Sequence, residues 1–143
     1  MLEKLRKVLD LSSTEILYLF PALFFLSIAK LSILLLPFNF LQQKFQGITS
    51  KSNLKEANPT EIDLKAKSIN RIAYAFSLLG FTCLPKAMAM KFWLKNYKDI
   101  KVNFGVQKDN QNQLIAHAWV SNNQKIILGE DPNVNYKSIW IWG

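Results

Sequence analysis

A chain of 143 residues is one domain's worth of sequence, and a domain of that size buries roughly 68–70% of its unfolded surface without a disulfide or metal staple. Hydrophobic residues make up 50% of it, while one cysteine and one histidine exclude an internal disulfide and are too few for a zinc site, so no metal or cofactor is expected. The net charge of +8 suits an acidic peptide, a phosphate-rich partner or an anionic membrane; nucleic acid is disfavoured, because the lysines are scattered and the aromatics sit inside apolar runs.

Residues 1–10 place Leu2, Leu5, Val8 and Leu9 on one stripe of an amphipathic helix. Ser12 or Ser13 can cap a second helix, with Glu15 near its positive end. From Ile16 to Leu36 the chain is almost wholly apolar, interrupted by Pro21, Ser27, Lys30 and Ser32, and Pro37 supplies a stop. The length approaches that of a membrane span, but Lys30 near the middle would cost roughly 2.5–3.5 kcal/mol on insertion. A secretory signal fits poorly, because the run is long and Leu36-Pro37-Phe38 is not a small-residue cleavage site. The stretch therefore reads as a buried or partner-facing helical hairpin, with membrane contact through residues 16–36 as the alternative. The expected location is the cytoplasm, whether free or at a membrane.

The domain reading is an apolar helical region at 1–45, a polar linker at 46–59 and a catalytic domain at 60–143. Thr60 is the expected cap of a helix reaching about Leu79, where Gly80 ends it. In Thr82-Cys83-Leu84-Pro85, Thr82 is a plausible N-cap and Pro85 falls in the first turn, where its missing N–H does no harm. Cys83 then starts a helix continuing as KAMAMKFWLKNY, with Ala87, Met90 and Leu94 on its face. A cysteine at a helix N-terminus is favoured as thiolate, and free N–H groups there can receive an oxyanion.

Lys101 to Val106 alternates as a half-buried strand, Gln107 to Gln113 is a polar turn, and Leu114 to Val120 is a second strand with Ile115, His117 and Trp119 on one face. A turn at Asn122-Asn123 leads to a strand at Lys125 to Leu128, closed by Gly129-Glu130-Asp131-Pro132. The tail from Tyr136 to Gly143 suits an edge strand, a lid or a docking patch. Taken singly, Cys83 reads as a small buried hydrophobe and His117 as a structural or exposed histidine. Together, at a helix start and on a following strand, they make the pair that thiol acyl transfer requires, with an acid to follow.

The wording from Cys83-Leu84 through Gly105-Val106 to Ala116-His117-Ala118-Trp119-Val120 resembles the lasso-peptide leader peptidases, a transglutaminase-like family. The apolar stretch ending in Leu36-Pro37-Phe38 is similar too, so the resemblance spans nearly the whole chain. It implies an α+β, transglutaminase-like (papain-like) cysteine protease core, with the Cys helix packed on a small antiparallel sheet. It also implies an endopeptidase that removes the leader from a ribosomally made precursor peptide, with Cys83 as nucleophile, His117 as base and Asp131 as the orienting acid, Glu130 being the substitute. The implied partners are that precursor, a small leader-recognition protein and an asparagine-synthetase-like macrolactam cyclase. The chain departs from the family at Ser121, where an acid is usual, and in the thinned basic set Lys86, Lys91 and Lys95 on the Cys helix. Two other readings share the same residues: a non-catalytic peptide-binding or membrane-docking module, and a transamidating enzyme.

Overall fold

The computed structural model describes residues 12–48, 54–56, 58–131 and 136–142; the helix expected at residues 1–10 lies outside them. The first helix, α1 (Ser13–Leu35), starts at a reciprocal cap. The Glu15 amide donates to Ser12 Oγ at 3.3 Å, and the Ser12 amide donates back to Glu15 Oε2 at 3.1 Å. Glu15 also accepts from Arg71 at 2.7 Å, and this bond, ahead of the one from Ser12, holds its carboxyl below the usual range. The apolar stretch is one continuous helix and not a hairpin, for it carries Pro21 inside. The turn falls at Leu36, extended as a residue before proline must be, and α2 (Phe38–Ile48) follows.

Helix α3 (Pro59–Ala75) begins two residues earlier than a Thr60 cap implies. Asn58 is the N-cap, its side chain accepting from the Thr60 amide at 3.0 Å, with Pro59 at the first helical position. The helix stops at Ala75 rather than Leu79; a 3-10 turn, Ser77–Leu79, runs on to Gly80, which is left-handed at φ 65°. Helix α4 (Cys83–Trp93) begins at the cysteine as expected and ends short of Tyr97. Ala87, Met88, Met90 and Leu94 are completely or almost completely buried, so α4 is the central element of the core.

The sheet has the order β3-β2-β1-β4, every pair antiparallel, with β1 (Ile100–Lys108), β2 (Leu114–Asn122), β3 (Lys125–Leu128) and β4 (Lys137–Trp142). The β2–β3 turn is Asn123-Gln124, one residue later than expected, and both residues have positive φ as a two-residue hairpin requires. Val102, Val120 and Ala118 point to the core beneath α4. The tail is an edge strand on β1, and Trp140 and Trp142 join Phe38 and Phe104 in an aromatic cluster that seats the start of α2. The architecture is the expected α+β arrangement, a cysteine helix on a small antiparallel sheet.

Two buried lysines show how charge is housed. Lys65 forms an ion pair with Glu61 at 2.6 Å and lies over the rings of Tyr97 and Trp93, while the Tyr97 hydroxyl donates to the same Glu61 oxygen. Lys91 donates to the Ile100 carbonyl, and among the described residues no carboxylate forms a salt bridge with it. Burial, with Lys101 adding repulsion, pushes its pKa from 10.5 to about 8. A base with a depressed folded pKa binds fewer protons folded than unfolded between those two values, so stability rises with pH across that window. The variant Lys91→Met is expected to be more stable at neutral pH by about 2 kcal/mol, and denaturant midpoints against pH should lose that rise.

Candidate functional site

Cys83 is half-buried at the first position of α4. Thr82 has the extended backbone of an N-cap, but its side chain makes no capping hydrogen bond. Pro85 has no N–H, and the Lys86 amide reaches back to the Thr82 carbonyl at 3.3 Å. Among the described residues the amides of Cys83 and Leu84 therefore remain as donors at the positive end of the helix, beside the sulfur.

The loop before Cys83 is clamped from α1. Lys30 Nζ donates to the Gly80 carbonyl at 3.1 Å, and the Thr82 amide donates to the same oxygen at 3.0 Å. The lysine that makes α1 a costly membrane span thus holds the loop that leads into Cys83. Lys30→Met should lower stability by about 1.5–3 kcal/mol, the worth of a hydrogen bond to a charged group, and hydrogen exchange should quicken at residues 80–83.

His117 stands opposite Gly105 in the β1–β2 register, half-buried, on the face of β2 that Trp119 also occupies. Its ring stacks on two neighbours that also meet each other, with the Tyr136 centroid 4.7 Å away and the Trp119 centroid 6.0 Å away. Nε2 lies 2.6 Å from the Gly129 carbonyl oxygen. A carbonyl only accepts, so Nε2 carries the hydrogen and the neutral ring keeps its lone pair on Nδ1. Two glycines make this possible. A side-chain carbon at Gly105 would stand 2.7 Å from the Trp119 indole and 2.9 Å from Tyr136 Cβ. Gly129 sits at φ 84°, and a side-chain carbon there would meet the Ala118 carbonyl at 3.0 Å.

Tyr136 ties the neighbourhood together. Burial raises its phenol pKa, and the neighbouring acidic groups of Asp131 and Cys83 raise it further. Cys83 and Asp131 thus act on the tyrosine against which His117 stacks. Among the described residues the hydrogen bond of His117 goes to Gly129, and none joins it to Cys83. Glu130 is exposed and lines a separate depression with Ile62 and Asp63 of α3. Sequence reasoning passed over Gly129 and Tyr136 as site residues; the signals were a glycine right after a strand and an aromatic at the start of the tail.

Beside the aromatic shelf, an open depression of about 580 Å³ is lined by Lys101, Asn103, Trp119, Ser121, Ile126 and Ile141. Ser121 is buried and accepts from Asn103 Nδ2 at 2.9 Å. Of the lysines expected on the cysteine helix, Lys86 donates to Asn70, Lys91 is buried and Lys95 falls past the end of α4 and is exposed.

A thiol at a helix start, backed by an antiparallel sheet that carries an imidazole, belongs to the class of cysteine-dependent acyl-transfer folds. The chain belongs to the Transglutaminase-like superfamily, whose family model matches residues 32–141. No curated protein and no solved structure gives a significant match. The match begins within α1 and ends on β4, so it takes in Cys83, His117 and Asp131.

Proposed function

We propose that the chain is a cysteine endopeptidase that removes the leader segment from a ribosomally made precursor peptide. The observation that carries this reading is the lone histidine held through Nε2 by the Gly129 carbonyl and stacked on Tyr136, whose phenol the lone cysteine also influences, so that Nδ1 can act as base. Nδ1 takes the thiol proton, and the thiolate attacks the scissile carbonyl. The oxyanion of the tetrahedral intermediate accepts from the Cys83 and Leu84 amides. The imidazolium then protonates the leaving amine, and the peptide bond breaks to leave a thioester on Cys83. Water, deprotonated by His117, attacks the thioester and releases a carboxylate.

Asp131 is proposed as the acid that stabilises the imidazolium, and its action on Tyr136 supports it over Glu130. No Cys83–His117 hydrogen bond is needed in the resting state, since such bonds commonly tighten only around substrate. The depression beside Trp119 is the proposed path of the peptide. A leader-recognition protein and a macrolactam cyclase are the proposed partners.

The test is mass spectrometry of a precursor peptide incubated with the protein and the recognition partner. Two fragments whose masses sum to the precursor plus one water are expected. Loss of ammonia with capture of an added amine would assign transamidation instead. An intact precursor that nevertheless binds would favour the non-catalytic peptide-binding module.

A further inference from the structure

Helix α1 has two faces of opposite character. Leu19, Ala22, Leu26 and Ala29 recur at helical spacing and are buried in the core. On the other side Leu17, Phe20, Phe24, Leu31, Leu34 and Leu35 recur at the same spacing, each more than half exposed. The surface continues past α1. Leu78 and Leu79, 89% and 53% exposed, immediately precede Gly80, whose carbonyl Lys30 holds just before Leu31. A helix of 23 residues is about 35 Å long, and an apolar strip of that length on a soluble chain marks an interaction surface.

We propose that this outer face of α1 docks on an anionic lipid bilayer, with the helix lying along the surface. Charge selects the occupant. No acidic residue occurs between Glu15 and Glu56, a stretch that carries Lys30, Lys44, Lys51 and Lys55. Lys44 stands over the Phe40 ring, a cation beside an exposed aromatic. The chain as a whole carries +8, so two copies meeting face to face repel each other while an anionic surface attracts. The helix lies on the bilayer and does not cross it. Glu15–Arg71 and Lys30–Gly80 tie it to the body at two points, and withdrawing its inner face would open the core. Docked this way, the membrane lies close to the loop that presents Cys83.

Cosedimentation of the full chain with phosphatidylcholine vesicles, with and without phosphatidylglycerol, tests the proposal. Binding to the phosphatidylglycerol vesicles is expected, weakened by salt and by omission of the anionic lipid. Phe20→Glu with Phe24→Glu should cut the bound-to-free ratio by ~10-fold or more, because both side chains are exposed and make the lipid contact. Equal binding by the double variant, or wild-type protein left in the supernatant, overturns the proposal. So does a lipid-free dimer that the double variant dissolves, which would give the face to a second copy. Should the double variant fail to fold, a dye on Phe24→Cys in a Cys83→Ser chain serves instead. A blue shift with phosphatidylglycerol vesicles supports docking, and an unchanged spectrum rejects it.

Discussion

Cys83→Ala is expected to abolish the proposed cleavage of the precursor peptide and to leave the fold intact. The change removes one sulfur from a half-buried helix start, so the thermal midpoint should move little. The rate should fall by a factor of ~10⁶, the loss typical when a hydrolase loses its nucleophile, because no other thiol exists in the chain to replace it. His117→Ala should cost nearly as much, and the double variant no more than the worse single one, since nucleophile and base act as a unit. Alkylation by iodoacetamide separates a dyad from a packed thiol. At neutral pH the Cys83 thiol should react several-fold faster in the wild type than in His117→Ala. Equal rates, together with normal processing by Cys83→Ala, would end the peptidase reading and leave the binding module.

Gly105→Ala strikes the same chemistry without touching a reacting group. The added carbon falls within 3.0 Å of the Trp119 indole on one side and Tyr136 Cβ on the other. Real contacts of that kind do not occur, so the indole or the tyrosine backbone must move. Both pack against His117, Tyr136 with its ring 4.7 Å away, and the imidazole moves with them. Overpacking of this sort costs typically about 1–3 kcal/mol, and a displacement on the order of 1 Å at a catalytic group can cost ~10²-fold in rate. The expected signature is therefore a large fall in kcat with a modest fall in the denaturation midpoint. A variant with wild-type kcat would show that the aromatic shelf does not position the base. Gly129→Ala is the companion test. There the strain lies in the backbone at φ 84°, and the carbonyl that holds Nε2 shifts directly.

These expectations rest on different parts of the record. Alternation and turn chemistry were enough to locate the β1–β2–β3 meander, and cap chemistry the cysteine helix, whereas the tail left strand, lid and docking patch open until its pairing with β1 decided for the edge strand. Errors fell at ends and caps. Thr60 looked like the cap, yet Asn58 with Pro59 behind it competes better, since the asparagine side chain captures the Thr60 amide. The helix expected to reach Leu79 gives way after Ala75, where Gly80 draws the last turn into a 3-10 form.

What the sequence determined by itself was the inventory: one nucleophile at a helix start, one imidazole on a strand, acids after the next strand, and a family wording that the superfamily match sustains in its coarser form. What the tertiary structure decided was partnership, because contacts between residues far apart in sequence leave no periodic trace. Lys30 reaches 50 residues on to the Gly80 carbonyl, and Arg71 reaches 56 residues back to Glu15. Gly129 supplies the acceptor that fixes the His117 tautomer, a role belonging to a backbone atom and so invisible in any side-chain pattern. Tyr136 arrives from the tail only because β4 pairs with β1, which carries Gly105 and leaves room for its ring.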